Sequence, residues 1–162
     1  MTMLKSYRST YEITQFTRQI RNNIDIEAIE RHGEDPKVNA FKGEEDELSH
    51  INELVQKFSA NDYNSLGIIC KTQQQANKLY ETLKEQHTIH LLEAKSVAFG
   101  SGIVITTAHL AKGLEFDQVI VPHVNDKNYK TEPDRQMLYV ACTRAMHRLN
   151  LTYSGRLTNF LN

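Results

Sequence analysis

Two stretches near the C-terminal end of this chain carry the residue types that do chemistry. Tyr139-Val140-Ala141-Cys142-Thr143-Arg144-Ala145 is an apolar block that delivers a Thr-Arg pair at its end. An arginine presented this way meets a phosphate or a carboxylate, because its planar fork binds either one bidentately. Ile103-Val104-Ile105-Thr106-Thr107-Ala108-His109-Leu110-Ala111-Lys112-Gly113-Leu114-Glu115-Phe116-Asp117 runs from a β-branched block into polar residues, a glycine and a glutamate. A third candidate lies at the start. Tyr7 and Arg8 precede Ser9, which forms a capping-box pattern with Glu12. The pair thus stands just before a helix N-terminus, where backbone N–H groups favour anions.

Other chemistries find little support. The two cysteines, Cys70 and Cys142, sit in apolar blocks and read as buried free thiols. There is no Cys-x-x-Cys and no His-Glu-x-x-His, so no metal-ligand set is visible. The acidic run Glu44-Glu45-Asp46-Glu47 reads as a solvated first turn of a helix, where negative charge suits the dipole. A phosphate loop of the Gly-x-x-x-x-Gly-Lys-Ser/Thr type is absent. The formal net charge of -1, without a dense basic block, argues against a stand-alone module that grips nucleic acid by charge. It leaves room for one half of a larger groove.

The elements that must position these residues follow from periodicity. Ile13, Phe16 and Ile20 predict a helix over about 10–21. Val38 to Phe41 predicts a short strand, and Leu48, Ile51, Leu54, Val55 and Phe58 the apolar face of a second helix. Leu66-Gly67-Ile68-Ile69-Cys70 is apolar throughout, as a strand buried on both faces would be. Thr72 with Gln75 caps the next helix, whose buried face is Ala76, Leu79, Tyr80 and Leu83. Ile89 to Leu92, Val97 to Phe99, Ile103 to Thr106 and Val119 to Val121 read as strands. Thr131, Glu132, Pro133 and Asp134 start a helix expected to end near His147 and Arg148. Leu149 to Tyr153 alternates like a strand at the sheet's side. Strands alternating with capped helices imply an α/β domain with a central, mainly parallel sheet of about five strands. At 162 residues, 40% hydrophobic and 24% charged, the chain suits one globular domain with a real core. No apolar run approaches the ~20 residues needed to span a bilayer. The start lacks a signal-peptide core, so a reducing cytoplasm is the expected compartment.

The motifs also carry a resemblance. Thr106-x-x-His109-x-x-Lys112-Gly113-Leu114-Glu115-Phe116 resembles the fifth motif of the UvrD/Rep/PcrA-like superfamily 1 helicases, and Tyr139 to Ala145 resembles their sixth. Ser6-Tyr7-Arg8-Ser9 looks like the fourth, and the three stand in the family's order. The match implies that residues 1–162 form the second RecA-like (P-loop NTPase-like) motor domain, a three-layer fold without a phosphate loop. It makes the chain a fragment of a larger protein whose first motor domain is absent here. The interval of some thirty residues between Lys71 and the fifth motif is short for the family and looks more like HelD-type helicases. An arginine is common in the family where Lys71 stands.

By similarity, Arg144 and Arg8 would be the cationic contacts to the γ-phosphate of ATP. Tyr7 would stack on adenine, Glu115 would accept from the ribose, and Gly113 would let the backbone approach the nucleotide. Thr107 and His109 would face single-stranded DNA. The cofactors implied are ATP and Mg2+, the metal held mainly by the missing N-terminal RecA-like domain, which is the principal partner. The activity implied is that of an ATP-dependent DNA helicase, with the isolated chain expected to be inactive. The alternative is a HelD-like ATP-dependent remodelling factor acting on RNA polymerase.

Overall fold

The computed structural model describes residues 9–21, 31–93 and 102–161 in full, and the backbone of 4–6 and 26–28. Tyr7 and Arg8, and the strand expected at Val97 to Phe99, lie outside the described residues. Two short strands, β1 (Leu4–Ser6) and β2 (Ile26–Ala28), pair in parallel as a small separate sheet. Between them runs α1 (Tyr11–Thr17), N-capped by the Thr10 side chain, which accepts from the Ile13 N–H.

The main sheet follows from β3 (Lys37–Phe41), β4 (Ser65–Cys70), β5 (Ile89–Leu91), β6 (Gly102–Thr107), β7 (Phe116–Val121) and β8 (Ala145–Ser154). Its order is β3-β8-β7-β4-β6-β5, and every pairing is parallel. β4, apolar and buried along its whole length, is flanked by β6 and β7 at the centre. Parallel strands read as continuous apolar runs because helices cover both faces.

Those helices are α2 (Glu44–Ser59), α3 (Gln73–Leu83) and α4 (Glu132–Thr143). α2 and α3 bury Ile51, Val55, Ala76 and Leu79 against Ile68, Ile105 and Ile120. On the other face α1 and α4 pack Ile13, Leu138 and Ala141 against Phe116, Val119 and Leu149. The result is a three-layer α/β domain, each fully buried aliphatic side chain contributing about 1.5–3 kcal/mol.

Three readings change. α4 stops at Thr143, not near His147 and Arg148, and those two residues lie on β8. The chain leaves the helix there because Ala145 pairs with Phe116, and β8 then runs for ten residues. β8 is also interior rather than marginal, since β3 pairs along its outer side. Finally, Glu47 is not part of a solvated turn: Glu44, Glu45 and Asp46 are exposed, but Glu47 is fully buried.

Candidate nucleotide and nucleic-acid faces

The segment 108–115 crosses from one edge of the sheet to the other. It leaves β6 at Thr107, whose strand partner is Cys70 at the C-terminal end of β4. The Ala108 N–H donates to the Cys70 carbonyl at 3.2 Å, and the Ala111 N–H to the Thr107 carbonyl at 2.9 Å. The Thr107 hydroxyl, on a buried side chain, accepts from the Leu110 N–H at 3.3 Å. It therefore caps the turn that presents His109, which is exposed. Ala108 and Ala111 are buried, and their small side chains let the turn lie close on the core. Gly113 sits at φ +83°, a left-handed conformation that favours glycine. Leu114 is half-buried, Glu115 is exposed, and Phe116 opens β7 at the opposite edge.

Arg144 meets this segment at its far end. α4 is started by a full capping box, Thr131 with Asp134, and anchored by Leu138, Ala141 and Cys142. At its C-terminus the Arg144 guanidinium donates to the Leu114 carbonyl at 3.3 Å and to the Thr143 hydroxyl at 3.3 Å. That hydroxyl in turn donates to the Val140 carbonyl at 2.9 Å. The Phe116 N–H donates to the Arg144 carbonyl at 2.9 Å. Next to them the Ser9 hydroxyl donates to the Ala145 carbonyl at 2.6 Å, and the Thr10 N–H to the Met146 carbonyl at 3.2 Å.

The residues singled out in the sequence thus fall into two groups. Gly113, Glu115 and Arg144 gather at the edge where β7 and β8 begin. Thr107 and His109 lie at the edge where β4 and β6 end. The edges are about five residues of strand apart, roughly 17 Å. The first group combines a cationic donor, a carboxylate acceptor and a glycine turn, a combination that suits the phosphates and ribose hydroxyls of a nucleotide approached from one side. Among the described residues no group of three or more His, Cys, Asp or Glu could hold a metal ion. Burial pushes the Cys70 thiol up to about 12 and the Cys142 thiol up as well, so neither is a ready nucleophile.

Two ion pairs escaped the sequence reading. Lys71 Nζ lies 3.0 Å from Asp134 Oδ1, tying the end of β4 to the start of α4. Burial alone would raise the Asp134 carboxyl, but the N–H groups of Lys130 and Thr131 and the Lys71 ammonium hold it down at about 2. Lys71 is thus engaged by its own chain. The second pair centres on Glu47. Its carboxylate accepts from the His123 N–H at 2.8 Å and the Thr152 hydroxyl at 2.7 Å, with His123 Nδ1 at 3.3 Å. Burial opposes the charge, yet these partners outweigh it and hold the carboxyl below the usual range. His123 reaches this position at φ +59°. A glutamate four residues into an acidic run, with partners far along the chain, gives no local signal.

The family model for the UvrD-like helicase C-terminal domain matches residues 1–99 and 85–156. DNA helicase II of Escherichia coli (strain K12) is 33% identical over 72 residues, 38% of this chain and 10% of the relative. A probable DNA helicase II homolog of Mycoplasma capricolum is 30% identical over 148 residues, 82% of this chain and 20% of the relative. The chain therefore spans a tenth to a fifth of the length of these curated relatives. Among solved structures, the C-terminal domain of a possible DNA helicase from Lactobacillus plantarum WCFS1 superposes with a TM-score of 0.79 at 31% identity, covering 96% of this chain and 91% of that one. Arterivirus nonstructural protein 10, a helicase in complex with DNA, shares the fold alone, with a TM-score of 0.52 at 14% identity over 74% of this chain and 28% of that one.

Proposed function

Because the chain belongs to the UvrD-like helicase C-terminal domain family, we propose that it is the second RecA-like motor domain of an ATP-dependent DNA helicase and supplies one wall of a composite ATP site. The observation that carries this reading is the Arg144 guanidinium, held at the Leu114 carbonyl beside Gly113 and Glu115. ATP would supply the transferable phosphoryl group, and Mg2+ would be held mainly by the first motor domain. Arg144 offers fixed positive charge where charge develops on the transferring oxygens. Glu115 is an exposed acceptor suited to a ribose hydroxyl, and Gly113 leaves the backbone open beside it. Arg8 and Tyr7 are assigned to the same wall. Ser9, the next residue in the chain, is fastened to Ala145, adjacent to Arg144.

The opposite edge, with exposed His109 on the turn capped by Thr107, is assigned to single-stranded DNA. Segment 108–115 is then the strut between the two. A strand that shifts the turn at His109 shifts Leu114, and with it the carbonyl that aims Arg144. The isolated chain, without a phosphate loop, has no floor for the triphosphate and is inactive alone. The compartment that suits it is the reducing cytoplasm.

The test uses the full-length parent protein. Arg144→Ala lowers DNA-stimulated ATP turnover by on the order of a thousandfold, the size of an arginine-finger effect. Turnover that survives the substitution would remove Arg144 from the mechanism. A second reading, a HelD-like remodeller of RNA polymerase, draws on the short connection between β4 and β6, whose described residues form α3, β5 and adjoining loops. A polymerase pull-down set against a duplex-unwinding assay separates the two.

A further inference from the structure

Met146 is the second residue after Arg144, at the edge where β7 and β8 begin. Its carbonyl takes two donors: the Thr10 N–H at 3.2 Å and Arg31 Nη2 at 3.3 Å. The Tyr11 N–H donates to the Arg31 carbonyl at 2.7 Å, so residue 31 is also fastened to the start of α1. The topology accounts for this meeting. β1 and β2 run parallel with Ser6 opposite Ala28, so the two strands end level. Ser9 and Thr10 beyond the first, and Arg31 beyond the second, then reach neighbouring carbonyls of β8, Ala145 and Met146.

A guanidinium drawn partly out of water calls for a counter-charge. Arg31 is half-buried, and its Nε is buried without a hydrogen bond. Among the described residues its side chain bonds only to the Met146 carbonyl, and no carboxylate pairs with it. The acids around it are engaged elsewhere. Glu12 accepts from the Gly33 N–H at 2.8 Å and pairs with His32 at 2.7 Å. Glu34 accepts from Arg148 Nε at 2.6 Å. Asp35 is exposed and lines a different cavity with Lys37. Arg31 is therefore a positioned cation whose charge its own chain leaves uncancelled.

We propose that Arg31 is a further phosphate contact of the composite ATP site, an inference that rests on the function proposed above. Arg144 and Arg31 flank the start of β8, one held by the Leu114 carbonyl and the other by the Met146 carbonyl. A carbonyl anchor fixes a guanidinium fork and leaves its charge for an anion. The anion is the polyphosphate of the nucleotide rather than a DNA phosphate. Arg31 stands at the Arg144 edge, a strand's length, roughly 17 Å, from the edge that carries His109.

The experiment uses the full-length parent protein. Arg31→Met removes the charge and keeps the length of the side chain. It raises KM for ATP about tenfold or more, the size of a lost charged hydrogen bond, while kcat changes far less. Inhibition by tripolyphosphate weakens by a similar factor, and inhibition by adenosine is unaltered. Arg31→Lys recovers most of the affinity for both phosphate ligands. A residue that merely fastened β8 would lower the urea midpoint and weaken adenosine and tripolyphosphate alike, which overturns the proposal. Arg144→Ala measured alongside separates the two claims. If it lowers turnover while Arg31→Met leaves KM and tripolyphosphate inhibition as they were, the inference about Arg31 falls alone. If neither variant has any effect, the nucleotide wall itself falls, and this contact with it.

Discussion

The Arg144 guanidinium donates to the Leu114 carbonyl at 3.3 Å, and the Arg144 carbonyl accepts from the Phe116 N–H, two residues on from Leu114, at 2.9 Å. The end of α4 and the end of segment 108–115 are therefore one rigid corner. Thr143 completes it, accepting from Arg144 and donating to Val140. Thr143→Val removes both bonds without changing the side-chain volume. In the parent protein this lowers kcat roughly tenfold, the size expected from a misaimed catalytic group, while KM for ATP stays close to its original value. Thr143→Ser restores most of the rate. Equal loss in both variants would show that the hydroxyl plays no aiming role.

The Lys71–Asp134 pair bears on stability rather than chemistry. Asp134 closes the α4 capping box and accepts from two backbone N–H groups, so its carboxyl falls from the ordinary 3.8 to about 2. A folded-state value below the unfolded one contributes stability above the unfolded value, and that contribution is lost as pH falls through the folded one. Asp134→Ala costs about 2 kcal/mol at neutral pH, from the lost cap and ion pair. Urea denaturation at a series of pH values should show the gap to the original protein closing between about pH 4 and pH 2.

Glu47 is the more buried of the two anions. Replacing it with leucine leaves the His123 N–H and the Thr152 hydroxyl without their acceptor. The expected cost is about 3 kcal/mol, as for other broken buried pairs. Glu47→Gln keeps an acceptor and costs less. Because the carboxyl is held below its ordinary range, the contribution is present at neutral pH and fades in acid. Denaturant midpoints decide it, and a leucine variant as stable as the original would show that His123 and Thr152 find other partners.

Much of this was legible in local spacing. The capping box at Thr72 with Gln75 forms as read, and the helix start at Thr131 to Asp134 is where α4 begins, whereas the box read at Ser9 with Glu12 does not form, because Thr10 caps α1 and the Ser9 hydroxyl donates to the Ala145 carbonyl instead. The unbroken apolar run at 66–70 reads as a strand buried on both faces, and β4 is buried along its whole length. What failed was non-local. Nothing near Arg144 announces that Ala145 pairs with Phe116, so the helix was extended through basic residues that suit a helix end. Glu47 looks like its three acidic neighbours until His123 and Thr152 are brought to it from 76 and 105 positions away. At the site, residue types named the candidates, but only the sheet register separates Thr107 and His109 from Arg144 by the length of a strand.

Gly67 and Phe116 test how tightly the centre is packed. A Cβ on Gly67 would lie 2.5 Å from the Phe116 ring, which is itself fully buried. Neither neighbour can move, because β4 and β7 pair through Gly67 and Val119. Gly67→Ala therefore costs about 1–3 kcal/mol of overpacking strain. Phe116→Leu in the same chain should recover part of it in thermal denaturation. Additive losses in the double variant would mean that the two sites do not meet.

Gly113 separates a conformational role from a steric one. Its φ of +83° favours glycine, yet a Cβ there would meet nothing within 4 Å of the chain itself. The fold therefore asks only for the left-handed backbone, and any demand for the missing Cβ comes from a bound group. Gly113→Ala strains the backbone by about 1–2 kcal/mol, whereas asparagine tolerates this region far better. In the parent protein, Gly113→Asn should retain nearly full stability in urea but raise KM for ATP, because its side chain stands where the nucleotide approaches. If KM stays unchanged while Gly113→Ala is destabilised, the glycine serves the turn that carries Leu114 to Arg144, and the nucleotide does not come within reach of residue 113.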